Sequence, residues 1–192
     1  MIEWIVNWPT WDMTRVFGIA AYGMIWAGLI LGALYRYPVF KGKRKANLFK
    51  WHTFLTNGGA VIALAHASVL LIDAYYPYSW RDILVPFAAA KQPVWNGLGT
   101  IAMYGVLVLL LTSDFRHKMR KPVWLAIHLT AYPVFVAAAA HGYWDGTDSG
   151  NPAMQALYAL SLLSVIGLYA VRSVFSSRAE PQRKRVTTQK TG

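Results

Sequence analysis

Four of the chain's five histidines fall inside two long apolar runs, at nearly matched spacing. His52 and His66 read H-x13-H in the earlier run, and His128 and His141 read H-x12-H in the later one. Imidazole is the side chain best suited to hold a metal near neutral pH. Inside a bilayer it is rare, and it faces a bundle interior, a partner or a cofactor. Two imidazoles on facing helices can bind one iron from both sides, so four at two depths can serve as axial ligands of two stacked haems. The sequence has no cysteine. Thiolate metal sites, iron–sulfur clusters and covalent c-type attachment are therefore excluded, and any haem is b-type and held non-covalently.

The geometry can be worked from the spacing alone. On α-helices the step from His52 to His66 rises about 21 Å and that from His128 to His141 about 20 Å. If the two runs point the same way through the membrane, His52 pairs with His128 and His66 with His141. Antiparallel runs would scramble those depths. At about 100° per residue, His66 lies about 40° round from His52, but His141 falls about 140° from His128. A straight helix would not aim both at one cleft. Pro133 stands between them and lacks a backbone N–H, so a kink or overwound turn is expected there.

The elements that carry these residues follow from composition. The 192 residues are 56% hydrophobic and only 14% charged, which points to a polytopic membrane protein. Five apolar runs, roughly 13–34, 48–72, 94–111, 123–143 and 153–175, each approach the roughly 20 residues needed to span a bilayer. Since backbone polar groups must be satisfied within hydrocarbon, the expected fold is an all-α bundle of about five transmembrane helices. The first twelve residues, MIEWIVNWPTWD, have no basic cluster ahead of an apolar core, so a cleaved leader is not expected. Trp4, Trp8 and Trp11 suit an interfacial segment over 1–12. Residues 13–176 form the membrane domain, and 177–192 read as a basic, disordered tail able to touch anionic lipid. Within the long connection between the second and third runs, SWRDILVPFAAAK suits a short amphipathic surface helix.

The net charge of +11 does not point to nucleic acid, because the basic residues sit in blocks between apolar runs. Sixteen of the nineteen Lys and Arg fall in the first loop, the third loop and the C-terminal tail, leaving Arg15, Arg81 and Lys91 on the other side. The positive-inside bias places the N-terminus outside and the C-terminus in the cytoplasm of a multi-pass cell-membrane protein.

Other residues carry less. Ala21, Gly28 and Gly32 make a small-residue stripe suited to close helix packing, as do Gly58 and Gly59, where a missing side chain also leaves room for a porphyrin. Tyr132 and Phe135 lie midway between the later histidines and suit packing or a bridge between cofactor edges. Arg81 and Lys50 are interfacial anchors or propionate partners. His117, in a basic loop, reads as solvated.

On these residues the chain resembles the ferric-reductase-like transmembrane domain of NADPH oxidases, yeast ferric reductases, STEAP metalloreductases and the haem subunit of bacterial methionine-sulfoxide reductase. The two histidine spacings carry the resemblance, with W-x3-HL-x2-Y around His128 and HG at His141 and Gly142, and it covers about residues 13–175. It implies two b haems, ligated by His52, His66, His128 and His141, that pass electrons across the membrane. It also implies that Arg15 corresponds to an arginine beside the outer haem, as propionate partner or acceptor-site residue. The larger oxidases have a further first helix and a flavin and nicotinamide module, and no G-x-G-x-x-G unit stands in this sequence. A separate flavoprotein, a flavin or membrane quinol is then the expected donor, and ferric iron, O2 or a partner redox protein the extracytoplasmic acceptor.

Three other readings stay open on the sequence. One is a haem-b anchor subunit feeding a soluble extracytoplasmic oxidoreductase. Another is a proton or metal transporter that uses the intramembrane histidines. The last is a haem-binding assembly or sensor protein without turnover.

Overall fold

The computed structural model describes residues 9–73 and 77–189, with side chains described up to residue 171. Trp4 and Trp8 lie outside the described residues. Every regular element among those residues is helical, and five helices are long and apolar enough to cross a membrane. In chain order the seven α-helices among the described residues are α1 (Thr10–Tyr35), α2 (Gly42–Val69, prolonged by a 3-10 turn over Leu70–Ile72), α3 (Trp80–Leu84), α4 (Pro93–Asp114), α5 (Lys121–Leu129), α6 (Ala131–Trp144) and α7 (Pro152–Gln189). The five spans are α1, α2 with its turn, α4, the α5–α6 pair and α7.

The burial pattern is that of a bundle surrounded by hydrocarbon. Small residues such as Ala21, Ala60, Ala102 and Ala139 are buried, whereas Phe54, Val61, Leu160, Leu163 and Ile166 are each about 60% exposed. In water such a surface would drive aggregation; among lipid tails it is the solvated face. Close approach then supplies the packing that the hydrophobic effect cannot. A Cβ on Gly28 would fall 2.8 Å from Thr56, and one on Gly59 would fall 2.9 Å from Ile25, so α1 and α2 are in near-backbone contact. Gly105 does the same for α4 against Val134 of α6. Gly28, Gly58 and Gly59 thus serve helix packing.

An aromatic core joins α1, α6 and α7. Phe135, 1% exposed, stacks on Tyr22 with ring centres 5.2 Å apart. Tyr22 also hydrogen-bonds the fully buried Ser161, and Trp26 Nε1 donates to Ser164 Oγ at 2.9 Å. Tyr132 packs edge-on to Tyr169. Phe135 and Tyr132 are therefore core residues of this three-helix seam.

The fourth span is broken where the azimuth argument requires it. Helix α5 ends at Leu129, α6 starts at Ala131, and Thr130 is shared between them with φ −65° and ψ −9°. Pro133 has no N–H to offer the Leu129 carbonyl, so the ladder lapses there. Thr130 closes the gap locally: its N–H and its hydroxyl both donate to Ile127 O, at 2.9 and 2.6 Å.

Two expectations need correction. The basic stretch of the first connection is loop only over residues 36–41; from Gly42 onward its Lys and Arg, good helix formers, build the first turns of α2. The backbone of α7 also continues to Gln189, past the expected start of a disordered tail at 177. Beyond the membrane span, residues 172–189 hold four Arg and two Gln, which favour helix. The short surface helix forms as expected. It is α3, opened by a capping box in which Ser79 and Asp82 satisfy each other's backbone N–H.

Candidate functional site

The two histidine-bearing spans run in the same direction, and each packs closely on a different neighbour. Helix α2 lies on α1 and α6 lies on α4, while α2 and α6 make no comparable contact with each other. Their histidines meet across the space between. The His52 and His128 ring centres are 6.3 Å apart with planes at 75°, and those of His66 and His141 are 6.2 Å apart at 73°. The two pairs have almost the same geometry, one near each end of the bundle. The break at Thr130 is what lets α5 and α6 aim His128 and His141 into one cleft.

Three of the four imidazoles are anchored in the same way. His52 Nδ1 meets Gly28 O at 2.7 Å, His66 Nδ1 meets Thr14 O at 2.8 Å, and His141 Nδ1 meets Trp95 O at 3.0 Å. Four residues after each of those carbonyls stands a glycine: Gly32, Gly18 and Gly99. A side chain at that position would cover the carbonyl, because residues four apart share a helix face. The distances bear this out. A Cβ would lie 2.8 Å from Nδ1 of His52 at Gly32, 3.2 Å from that of His66 at Gly18, and 2.8 Å from that of His141 at Gly99. A carbonyl can only accept, so Nδ1 carries the proton and Nε2 keeps a free lone pair, the tautomer of a metal ligand. Of these glycines the sequence marked only Gly32, as a packing residue. Their contact with a histidine on another helix leaves no local signal.

His128 differs. Its ring stacks on Trp124, centres 4.9 Å apart, and its Nδ1 is buried with no hydrogen-bond partner; Trp124 Nε1 is buried and unpartnered as well.

Beside the His66–His141 pair lies a cavity of 260 Å³, also lined by Thr14, Gly18, Tyr22 and Tyr158. That is close to the lower end of roughly 300–1,000 Å³ for small-molecule sites. Arg15 stands at its rim, where its guanidinium grips the Asp148 carboxylate through Nε, at 2.8 Å, and Nη2. A bound propionate would therefore share Arg15 with Asp148. The hydrogen bond from Arg15 holds the Asp148 carboxyl below its ordinary range. Lys91 and Asp145 also line this cavity, and neither stood out in the sequence. Asp145 Oδ2 is 3.6 Å from His141 Nδ1, too far for a hydrogen bond. Burial pushes its carboxyl up, with Lys91 acting against that shift. Arg81 and Lys50 are exposed, as is His117. At the other end Arg36, just past α1, lies in electrostatic range of His128.

The fit to a haem can be tested on these distances. A metal–imidazole bond of about 2.0–2.1 Å, with the ring centre about 1.1 Å beyond the nitrogen, separates two axial rings by about 6.2–6.4 Å. Both pairs match, with Nε2 free on the anchored rings. Among the described residues no group of three or more His, Cys, Asp or Glu could hold a bare ion. Each site thus offers two facing imidazoles, a donor pair that would suit a planar four-coordinate macrocycle. No family model, curated protein or solved structure matches this chain.

Proposed function

We propose that this chain is a membrane electron-transfer protein holding two b haems, one between His52 and His128 and one between His66 and His141. The observation that carries it is the repeated pair geometry, with ring centres 6.2 and 6.3 Å apart on parallel helices. In this reading the chain belongs with the ferric-reductase-like transmembrane domains. Its basic loops face the cytoplasm and its N-terminus lies outside.

A bound haem supplies an iron that cycles between ferric and ferrous. The protein's share is positional. The carbonyls of Gly28, Thr14 and Trp95 fix three imidazole tautomers and raise ligand basicity. Lipid-facing side chains exclude water from the path. Arg15 and Lys91 at the outer rim, and Arg36 at the inner end, offset propionate charge. With His52, His128, His66 and His141 holding the haems, electrons would pass from a cytoplasmic flavoprotein, flavin or quinol donor to an extracytoplasmic acceptor such as ferric iron, O2 or a partner redox protein. The two-ligand sites favour this over a bare-metal path, which needs more protein donors.

The test uses haem-loaded protein in sealed vesicles with a ferric chelate trapped inside and reduced flavin outside. Reduction of the trapped iron, abolished by His66→Ala, is expected. Equal rates in protein-free vesicles would overturn the reading.

A further inference from the structure

Three imidazoles are tied and one is not. His52, His66 and His141 each give Nδ1–H to a helix carbonyl exposed by a glycine. None of the described glycines lies against His128, whose Nδ1 is buried without a partner. Its stacking neighbour Trp124 is likewise unpartnered at Nε1, so two buried ring nitrogens lie side by side without a hydrogen bond. A second-shell acceptor orients a histidine ligand and strengthens it, and its loss typically weakens metal affinity about 10–100-fold.

The helix that carries His128 is also short and partly exposed along its whole length. No residue of α5 is buried, whereas α6 buries Phe135 and Ala139 in the bundle. The two meet at Thr130, where the backbone ladder lapses before Pro133. The joint thus divides the segment that carries His128 from α6, which holds His141 in the bundle.

We propose that His128 is an exchangeable ligand. The inner site opens on the α5 side and takes a small neutral ligand of the carbon monoxide, nitric oxide or imidazole class, while the outer His66–His141 site stays closed. This rests on the haem reading above. The exchange breaks the bond from His128 Nε2 to iron and forms one from the incoming lone pair; no electron changes hands. The two sites are thus chemically unlike, one a closed relay and one responsive to ligands.

The test is a carbon monoxide titration of haem-loaded, dithionite-reduced protein, followed by visible spectroscopy. In the wild type about half of the haem should respond. Two double variants assign the site: His66→Ala with His141→Ala keeps the inner pair, and His52→Ala with His128→Ala keeps the outer pair. The inner-only protein should half-saturate at a concentration at least about tenfold lower than the outer-only protein. All or none of the wild-type haem responding, or tighter binding by the outer-only protein, overturns the proposal. The wild-type measurement stands even if a variant fails to fold. A colourless protein would instead be a failure of the haem reading.

Discussion

Gly99→Ala is the sharpest perturbation of the anchoring scheme. The new methyl would lie 2.8 Å from both Cε1 and Nδ1 of His141 and 3.0 Å from Cγ, where ordinary contact begins near 3.4 Å. The ring must therefore retreat by about 0.6 Å or α4 must shift, since the backbone of Gly99 is fixed within a helix. The Nδ1 to Trp95 O distance, 3.0 Å at present, then passes the useful limit of a hydrogen bond. Overpacking of this kind costs about 1–3 kcal/mol, and loss of a second-shell partner weakens metal binding about 10–100-fold. The assay is haem titration of the apoprotein, with low-temperature EPR of the ferric form to separate the two sites. Gly99→Ala should weaken and rhombically shift the His66–His141 site alone. Gly23→Ala is the control, because nothing lies within 4 Å of a Cβ there. If the two variants behave alike, the glycine–carbonyl–imidazole reasoning is wrong.

Three further outcomes are expected. Ser161→Ala should destabilise the detergent-solubilised protein by about 1–3 kcal/mol in thermal unfolding because it strands the buried Tyr22 hydroxyl, whereas Tyr22→Phe should cost about 0.5–1.5 kcal/mol, since Ser161 still donates to Tyr158 O. The Arg15 bond holds the Asp148 carboxyl below its unfolded value, so its stabilising contribution is present at neutral pH and lost as pH falls through the folded value; melting temperature should drop below about pH 4. Asp148→Asn should remove that part of the pH dependence. Pro133→Ala supplies a donor for the Leu129 carbonyl, should lengthen the helix across Thr130, and should lower haem occupancy by turning His128 away from His52; unchanged haem content would show that the break does not depend on Pro133.

The spans and the pairing were legible in the sequence because both rest on one-dimensional signals. Apolar runs near bilayer length can only be helices, and a 14-residue step beside a 13-residue step sets matching depths on parallel helices. The break at Thr130 was legible too, since the azimuth of His141 cannot be reconciled with His128 on a straight helix and Pro133 offers the means. The anchoring of the rings was not. Gly18 and Gly99 touch histidines on other helices, and glycine in a membrane helix ordinarily signals packing, which is what Gly28 and Gly59 do. Lys91 and Asp145 enter the cavity beside His66 and His141 because the connections at that end fold over it, a tertiary event with no periodicity. Arg15 was placed by resemblance, and its bidentate grip on Asp148, 133 residues away, had no local trace.

The central claim is two b haems held by two histidine pairs. The most direct test is pyridine haemochrome quantitation with a reduced-minus-oxidised visible spectrum on purified protein, repeated for His52→Ala and His141→Ala. About two haems b per chain, low-spin in both states, are expected, with each substitution removing one and leaving the other. A colourless protein, or substitutions that leave the haem content unchanged, would contradict it.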